Sequence, residues 1–377
     1  MTNSLSIVKN LIRINTENPP GITTEIINWI EQWAKTEKIP AKVQWYENKK
    51  GNIQLKVGDA DKTILICGHL DTVPIGDIYN WNHDPVGGVE IDDHIYGRGS
   101  ADMKSGVAVA LSTLKRINRE FKPSEMQYSI TFLGTSDEEV GLGGVKASLE
   151  LGLLDKTEFL IIPEPTGLKV GIAEKGVLWL SIIASGKTAH GSTPEKGINA
   201  IEEIVKLFPI LHSSVPNHVD DILGKSTLNI GVIQGGNIAN VVPERAEVQC
   251  DFRLVPPIQP ADFSNKLTQK IADFALESPA KFECQVKQTM PVIKSSEDNY
   301  FVKKFLEKSG TQQLSGLNYA TDGAVLVSNA PKELPFVLYG PGNPKKIHVS
   351  DERVSIQEIH AAEQTFMDFL TEVCFSR

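Results

Sequence analysis

The sequence predicts an α/β fold whose chain is interrupted by a smaller α+β domain, and two patterns carry that prediction. Short, continuous apolar strands alternate with helices near both ends of the 377-residue chain. The middle of the chain follows the order strand, helix, strand, strand, helix, strand, which is the split arrangement of ferredoxin-like domains. We therefore expect an α/β domain at residues 1–173 and 291–377, and an inserted domain at residues 174–290.

The outer domain opens with two amphipathic helices around residues 7–12 and 26–33, separated by the turn Asn18-Pro19-Pro20-Gly21. Further helices are predicted at residues 105–116 and 356–373. The predicted strands lie at residues 63–67, 128–133, 159–162 and 336–339. Because these strands are apolar throughout, we expect a sheet that helices cover on both faces.

The inserted domain has longer strands and two helices. The predicted strands lie at residues 177–184, 227–233, 246–254 and 282–288, and the helices at residues 197–211 and 261–275. The strand at residues 246–254 alternates apolar and polar side chains, which is typical of a sheet with one buried face.

Composition excludes several partners. The net charge of −9, from 38 basic and 47 acidic residues, argues against nucleic acid and anionic membranes as partners. No apolar run is long enough to span a bilayer, and the N-terminus lacks the pattern of a secretory signal. The four cysteines have no C-x-x-C spacing, so we expect reduced thiols in a cytoplasmic protein.

Candidate metal ligands follow the apolar strands of the outer domain. His69, Glu139, Glu164 and His348 each lie beyond the C-terminal end of a predicted strand. Ligands of open α/β sheets bind in the crevice outside those ends, so the four side chains can converge. Asp102 instead precedes the helix predicted at residues 105–116. Mixed imidazole and carboxylate ligands suit zinc, and manganese or cobalt could substitute for it.

Each motif also has an ordinary structural explanation when it is taken alone. The carboxylate of Asp71 could orient the imidazole of His69, two residues away, or simply belong to a turn. Asp102 could bridge two metal ions or cap the following helix. Of the adjacent acids Glu138 and Glu139, one could bind metal while the other moves a proton, as metal-assisted hydrolysis requires. An acidic surface loop is the alternative for that pair.

The motifs become specific when they are taken together. In chain order they read GHLDTVP, YGRGSADMKSG, TSDEEVG, PEPT, KGINAIE, GGNIANVVPERAEVQCDFR and GPGNPKKIH. This series resembles the family of acetylornithine deacetylase and succinyl-diaminopimelate desuccinylase, which includes aminoacylase and bacterial glutamate carboxypeptidase. The resemblance covers nearly the whole chain. It implies a zinc-aminopeptidase-like catalytic domain, with a central mixed sheet flanked by helices, and an inserted ferredoxin-like lid that forms a homodimer.

The resemblance also implies which residues bind metal. His69, Asp102 and Glu164 would hold one zinc ion, and Asp102, Glu139 and His348 would hold a second. The Asp102–Met103 peptide bond would be cis.

The remaining site residues take their expected roles from the same resemblance. Glu138 would act first as the general base and then as the general acid, and Asp71 would orient the first histidine ligand. In the inserted domain, His190 would polarise the scissile carbonyl. Because that domain supplies no metal ligand, we also expect His190 to act across a homodimer on the partner's site, and action within its own chain is the alternative. Asn240 and Arg253 would bind the carboxylate of the substrate.

The expected reaction is hydrolysis of the amide bond in a small N-acyl amino acid, as a step of amino-acid biosynthesis. Desuccinylases of the best-known type carry two arginines before the glycine that here is Gly176, whereas this chain has Glu174-Lys175, closer to the acetylornithine deacetylase pattern. The acyl group and the amino acid therefore stay open. A dipeptidase or carboxypeptidase of the same family is the alternative. A non-catalytic binding protein on the same fold is a more remote one, because every matching site position is occupied.

Overall fold

The structure is a computed structural model that describes residues 3–311 and 313–375. The chain forms two compact units. The first unit comprises Met1–Ile172, Ser295–Gly316 and Thr321–Arg377, and the second comprises Ala173–Lys294 and Leu317–Ala320. The sequence analysis placed the insertion at residues 174–290 and residues 317–320 in the outer domain. In the structure this last segment clusters with the second unit, where the backbone N–H of Lys175 donates to the carbonyl of Leu317 at 3.0 Å.

The helices and strands are numbered in chain order. The helices are α1 (Ser4–Arg13), α2 (Thr24–Thr36), α3 (Lys104–Glu120), α4 (Gly143–Ser148), α5 (Ala200–Lys206), α6 (Phe208–Ser214), α7 (Pro260–Glu277), α8 (Tyr300–Ser309), α9 (Asp322–Ser328) and α10 (Ile356–Phe375). The strands are β1 (Ala41–Glu47), β2 (Lys50–Val57), β3 (Thr63–His69), β4 (Val89–Ile91), β5 (His94–Tyr96), β6 (Ser129–Thr135), β7 (Thr157–Ile162), β8 (Val170–Glu174), β9 (Gly176–Ser185), β10 (Val219–Asp220), β11 (Gly224–Lys225), β12 (Thr227–Gly235), β13 (Arg245–Leu254), β14 (Lys281–Met290), β15 (Ile293–Lys294), β16 (Leu314–Leu317), β17 (Phe336–Leu338) and β18 (Arg353–Ser355).

A mixed sheet forms the centre of the first unit. Its strands lie in the order β1-β2-β6-β3-β7-β17-β8. The four middle strands, β6, β3, β7 and β17, are parallel, and the outer strands β1, β2 and β8 are antiparallel to their neighbours. Every residue of β3 and β6 is buried, as expected for apolar strands covered on both faces. Helix α3 packs against β3 and β6 and against α1 and α10, while α9 packs against β3.

The second unit is a four-stranded antiparallel sheet in the order β12-β13-β9-β14. Helix α5 packs on β9 and β13, and α7 packs on β9 and β14. The order of elements along the chain confirms the predicted ferredoxin-like fold. The single helix predicted at residues 197–211 is wrong, because the chain forms α5 and α6 with Leu207 between them. Pro209, in the first turn of α6, has no N–H with which to continue α5.

Within residues 3–311 and 313–375, no helix combines the length and the apolar character that crossing a membrane requires.

Candidate metal centre and substrate residues

The candidate ligands of the first unit meet at the carboxyl edge of its sheet. His69 is the last residue of β3 and pairs in register with Thr135, the last residue of the parallel strand β6. Glu139 follows β6, and Glu164 follows β7. His348 lies in the longer loop that follows β17. Parallel strands thus deliver four side chains from distant parts of the chain to one edge.

Asp102 stands between the two histidines. Its Oδ1 lies 3.1 Å from Nε2 of His69, and its Oδ2 lies 3.1 Å from Nε2 of His348. Glu139 Oε1 lies 3.4 Å from the same nitrogen of His348. Helix α3 begins only after Met103 and has no side-chain cap, so Asp102 is not a helix cap. The Asp102–Met103 peptide bond is cis, as predicted.

These residues form two groups that could each hold an ion. In each group, the ligand atoms all lie within 4.8 Å of one another. The first group is His69, Asp102 and Glu164, and the second is Asp102, Glu139 and His348. The two groups share the carboxylate of Asp102, so these five side chains could hold two ions close together. Imidazole nitrogens combined with carboxylate oxygens form a donor set that suits zinc.

The electrostatics of the cluster also favour bound cations. Burial raises the pKa of Glu138, and the nearby carboxylates of Glu139 and Glu164 raise it further. Burial alone would raise the pKa of Asp102, but hydrogen bonds from His348 and His69 outweigh it and lower that pKa. Hydrogen bonds to Asp102 and Glu139 raise the pKa of His348 to about 10. So many carboxylates in one crevice need compensating positive charge, which divalent ions would supply.

Asp71 contacts His69 differently from the expectation. The Nδ1 atom of His69 lies 2.9 Å from the backbone carbonyl oxygen of Asp71 and 3.9 Å from its carboxylate. The carboxylate instead accepts hydrogen bonds from the backbone N–H groups of Glu138, at 3.2 Å, and Glu139, at 3.3 Å. Asp71 therefore orients the histidine through its main chain and the acid pair through its side chain.

A buried network that the sequence analysis missed extends from Asp71. The Nδ2 atom of Asn18 donates to Asp71 Oδ2 and to Asp137 Oδ1, both at 2.8 Å. Asp137 also accepts from Lys50, at 2.9 and 3.1 Å, and from the hydroxyl of Tyr46, at 2.8 Å. In the sequence, Asn18 belongs to the turn before two prolines, and nothing in that local pattern indicates a buried role.

The predicted residues of the second unit fall at two different ends of its sheet. An isolated bridge joins His190 to Val241, and the backbone N–H of Gly191 donates to the carbonyl of Asn240 at 2.7 Å. His190 and Asn240 are therefore neighbours, and both are exposed. Arg253 lies near the opposite end of β13. Its guanidinium contacts the carboxylate of Asp251 at 2.9–3.2 Å.

In the first unit, an α/β sheet carries two ligand groups that share a carboxylate, with an additional acid beside them. This combination is typical of a metal-dependent hydrolase. The chain belongs to Peptidase family M20/M25/M40, whose family model matches residues 65–372. It is thus a metal-dependent amidohydrolase.

Two curated relatives illustrate the similarity in sequence. The chain is 27% identical to acetylornithine deacetylase of Proteus mirabilis, over 93% of this chain and 90% of that protein. It is 25% identical to a probable succinyl-diaminopimelate desuccinylase of Staphylococcus aureus, over 96% of this chain and 97% of that protein.

Solved structures share the fold. An M20 metallo-carboxypeptidase of Sulfolobus solfataricus superposes with a TM-score of 0.82 at 18% identity, covering 98% of this chain and 99% of that one. A dinuclear metal-binding M20 peptidase of Bacillus subtilis superposes with a TM-score of 0.73 at 17% identity, covering 98% and 97% of the two chains. These likenesses confirm the α/β fold with its inserted domain.

Proposed function

We propose that this enzyme hydrolyses the amide bond of a small N-acyl amino acid, in a step of amino-acid biosynthesis. One observation carries the proposal: two groups of metal ligands share Asp102, and Glu138 lies beside them without belonging to either. The curated relatives named for acetylornithine and succinyl-diaminopimelate substrates support this choice of substrate class.

We assign two zinc ions to the site. His69, Asp102 and Glu164 would hold one ion, and Asp102, Glu139 and His348 the other. When bound, the ions supply Lewis acidity that polarises the scissile carbonyl and makes water a better nucleophile. Cobalt or manganese would be accommodated by the same donors.

Glu138 moves the proton in the proposed reaction. Its carboxylate takes a proton from the attacking water as the new C–O bond forms at the amide carbon. It then returns that proton to the leaving amine as the C–N bond breaks, which leaves an acid and an amine as products. Asp71 holds the backbone N–H groups of Glu138 and Glu139 and so keeps the base next to the ligands.

His190 is proposed to polarise the carbonyl, and Asn240 and Arg253 to bind the carboxylate of the substrate. The register of β9 and β13 pairs Ser185 with Arg245 and Val177 with Arg253. Eight residues of strand separate the two ends, which is about 26 Å at roughly 3.3 Å per residue. That separation favours a site in which His190 and Asn240 come from one chain of a homodimer and Arg253 from the other.

Metal analysis tests the dinuclear site. Protein purified without chelator should contain two zinc ions per chain, and removal of the metal should abolish turnover until zinc is restored. Full activity with less than one tightly bound metal ion would refute the dinuclear centre.

A panel of N-acetyl-ornithine, N-succinyl-diaminopimelate and dipeptides, assayed with added zinc, tests the substrate class. Preference for an N-acyl amino acid supports the proposal. Preference for dipeptides would favour a peptidase of the same family, for which the tripeptidase of Staphylococcus aureus offers a structural parallel (TM-score 0.80, 23% identity).

Complementation tests the homodimer. His190→Ala and Glu138→Gln should each be inactive. After subunit exchange, mixed dimers should contain one site with an intact base and a histidine from the other chain, and should regain activity. No recovery in demonstrated heterodimers would mean that His190 acts within its own chain or has no catalytic role.

A cytoplasmic location stays a prediction, supported by four free cysteines.

A further inference from the structure

A buried ion pair lies beside the candidate metal ligands without being one of them. Arg98 is 5% exposed and Glu352 is fully buried, and Nη1 of Arg98 donates to Oε2 of Glu352 at 2.6 Å. Arg98 precedes α3 in the loop that carries Asp102, and Glu352 lies four residues after His348. Burying two charges is costly, and close pairing with further hydrogen bonds to the same groups offsets part of that cost.

The second carboxylate oxygen of Glu352 holds the main chain of a ligand. Its Oε1 accepts from the backbone N–H of Ala101, at 2.9 Å, and from that of Asp102, at 3.1 Å. Both oxygens of this carboxylate are thus used, one by a cation and the other by the peptide of the shared ligand. These two hydrogen bonds hold the backbone of Asp102 in place, and with it the Cα atom that carries the ligand side chain.

Two further bonds join the same pair of loops. The carbonyl of Glu352 accepts from the backbone N–H of Gly97 at 2.9 Å. Nη1 of Arg98 also donates to the carbonyl of Val349, next to His348, at 3.3 Å. The ring of Trp81 lies 5.2 Å from the guanidinium carbon of Arg98. The ion pair therefore connects the loop that carries Asp102 with the loop that carries His348.

We propose that Glu352, held by Arg98, is a positioning residue that keeps Asp102 and His348 in the geometry required for metal binding. Asp102 lies 3.1 Å from two histidines at once, so a small shift of its main chain would disturb both groups of ligands. This inference rests on the dinuclear site proposed above. Loss of such an outer contact typically weakens metal affinity about 10–100-fold.

The test compares metal binding with stability. Zinc is titrated, in competition with a chromogenic chelator, into three metal-free proteins: the wild type, Glu352→Ala and Glu352→Gln. The Tm of each metal-free protein is also measured. Glu352→Ala should lose about 10–100-fold in zinc affinity. Glu352→Gln should lose less, because its amide oxygen can still accept from Ala101 and Asp102. Arg98→Lys keeps the charge but loses the planar guanidinium, so it should also lose less zinc affinity than Glu352→Ala. It extends the test if Glu352→Ala does not fold.

A matched control separates positioning from general stability. Glu37 is a buried carboxylate that pairs with Lys115, at 3.0 Å, and with Arg119 on α3. Glu37→Ala should lower the Tm of the metal-free protein while retaining the zinc affinity of the wild type. Wild-type zinc affinity in the folded Glu352 and Arg98 variants would refute the inference, and so would equal losses of affinity in Glu37→Ala and Glu352→Ala. A wild type that binds no zinc tightly would instead refute the metal centre itself.

Discussion

Asn18 offers a sharp test of how the acid pair is held. Its side chain is buried, and its Nδ2 donates at 2.8 Å to both Asp71 and Asp137. A hydrogen bond to a charged group contributes roughly 1.5–3 kcal/mol, so Asn18→Ala removes two such contributions. Asp137 keeps Lys50 and Tyr46 as donors, which favours the lower end of the sum, about 3 kcal/mol. That is a large part of a typical stability of about 5–15 kcal/mol.

The assay is equilibrium unfolding in urea of metal-free Asn18→Ala, followed by the turnover number of the zinc-loaded protein. Turnover should fall, because Asp71 also holds the N–H groups of the base Glu138 and the ligand Glu139. Asn118→Ala is the control, since its Nδ2 donates to the backbone carbonyl of Glu37, at 3.1 Å. That neutral bond is worth about 1 kcal/mol, and turnover should not change. A loss of under about 1 kcal/mol in Asn18→Ala, with unaltered turnover, would refute the reasoning.

Three further predictions follow from individual carboxylates and from Arg253. Glu138→Gln should lower turnover by at least about 10²–10⁴-fold while both metal ions stay bound, and near-normal turnover would contradict its role as base. Burial raises the pKa of Asp322 to about 7. The metal-free native state therefore holds that proton more tightly than the unfolded chain, and this stabilisation is complete below the ordinary pKa and lost as pH rises through about 7. Asp322→Asn should flatten the fall in Tm between pH 5 and 8. A Tm that falls with pH as steeply in this variant as in the wild type would contradict the prediction. Arg253→Ala should lower kcat/KM about 10–100-fold for a substrate with a free carboxylate, from the loss of a charged hydrogen bond. For a substrate whose carboxylate is amidated, kcat/KM should fall less. An equal fall for both substrates would show that Arg253 does not bind the substrate carboxylate.

The strands and the identities of the candidate ligands could be predicted from local patterns. Apolar runs such as residues 63–67 and 159–162 are buried on both faces of the sheet, so their composition alone indicates their place. The residues that follow them are chemically distinctive. Because parallel strands end at one edge, a position after a strand already implies a position in the crevice. The structure accordingly brings His69, Glu139, Glu164 and His348 together with Asp102.

The break between α5 and α6 shows where local reasoning was incomplete. The amphipathic pattern continues across residues 197–211, and it predicts one helix. Pro209 interrupts the hydrogen bonding of the backbone without changing the apolar pattern, because a missing N–H does not affect hydrophobicity. The proline is visible in the sequence, but the hydrophobic periodicity of the segment does not reflect it.

Local sequence patterns were sufficient to predict the α/β fold, the inserted ferredoxin-like unit and the set of candidate metal ligands. The groups that support those ligands became visible only in the folded chain. Asn18, Arg98 and Glu352 are far in sequence from most of their partners, and no spacing rule connects them. The folded chain also places the side chain of Asp71 against the backbone of Glu138 and Glu139, and Arg253 at the opposite end of the sheet from His190. The reason is physical: a buried polar group takes whichever partner the packed backbone brings within about 3 Å, and that depends on the whole fold.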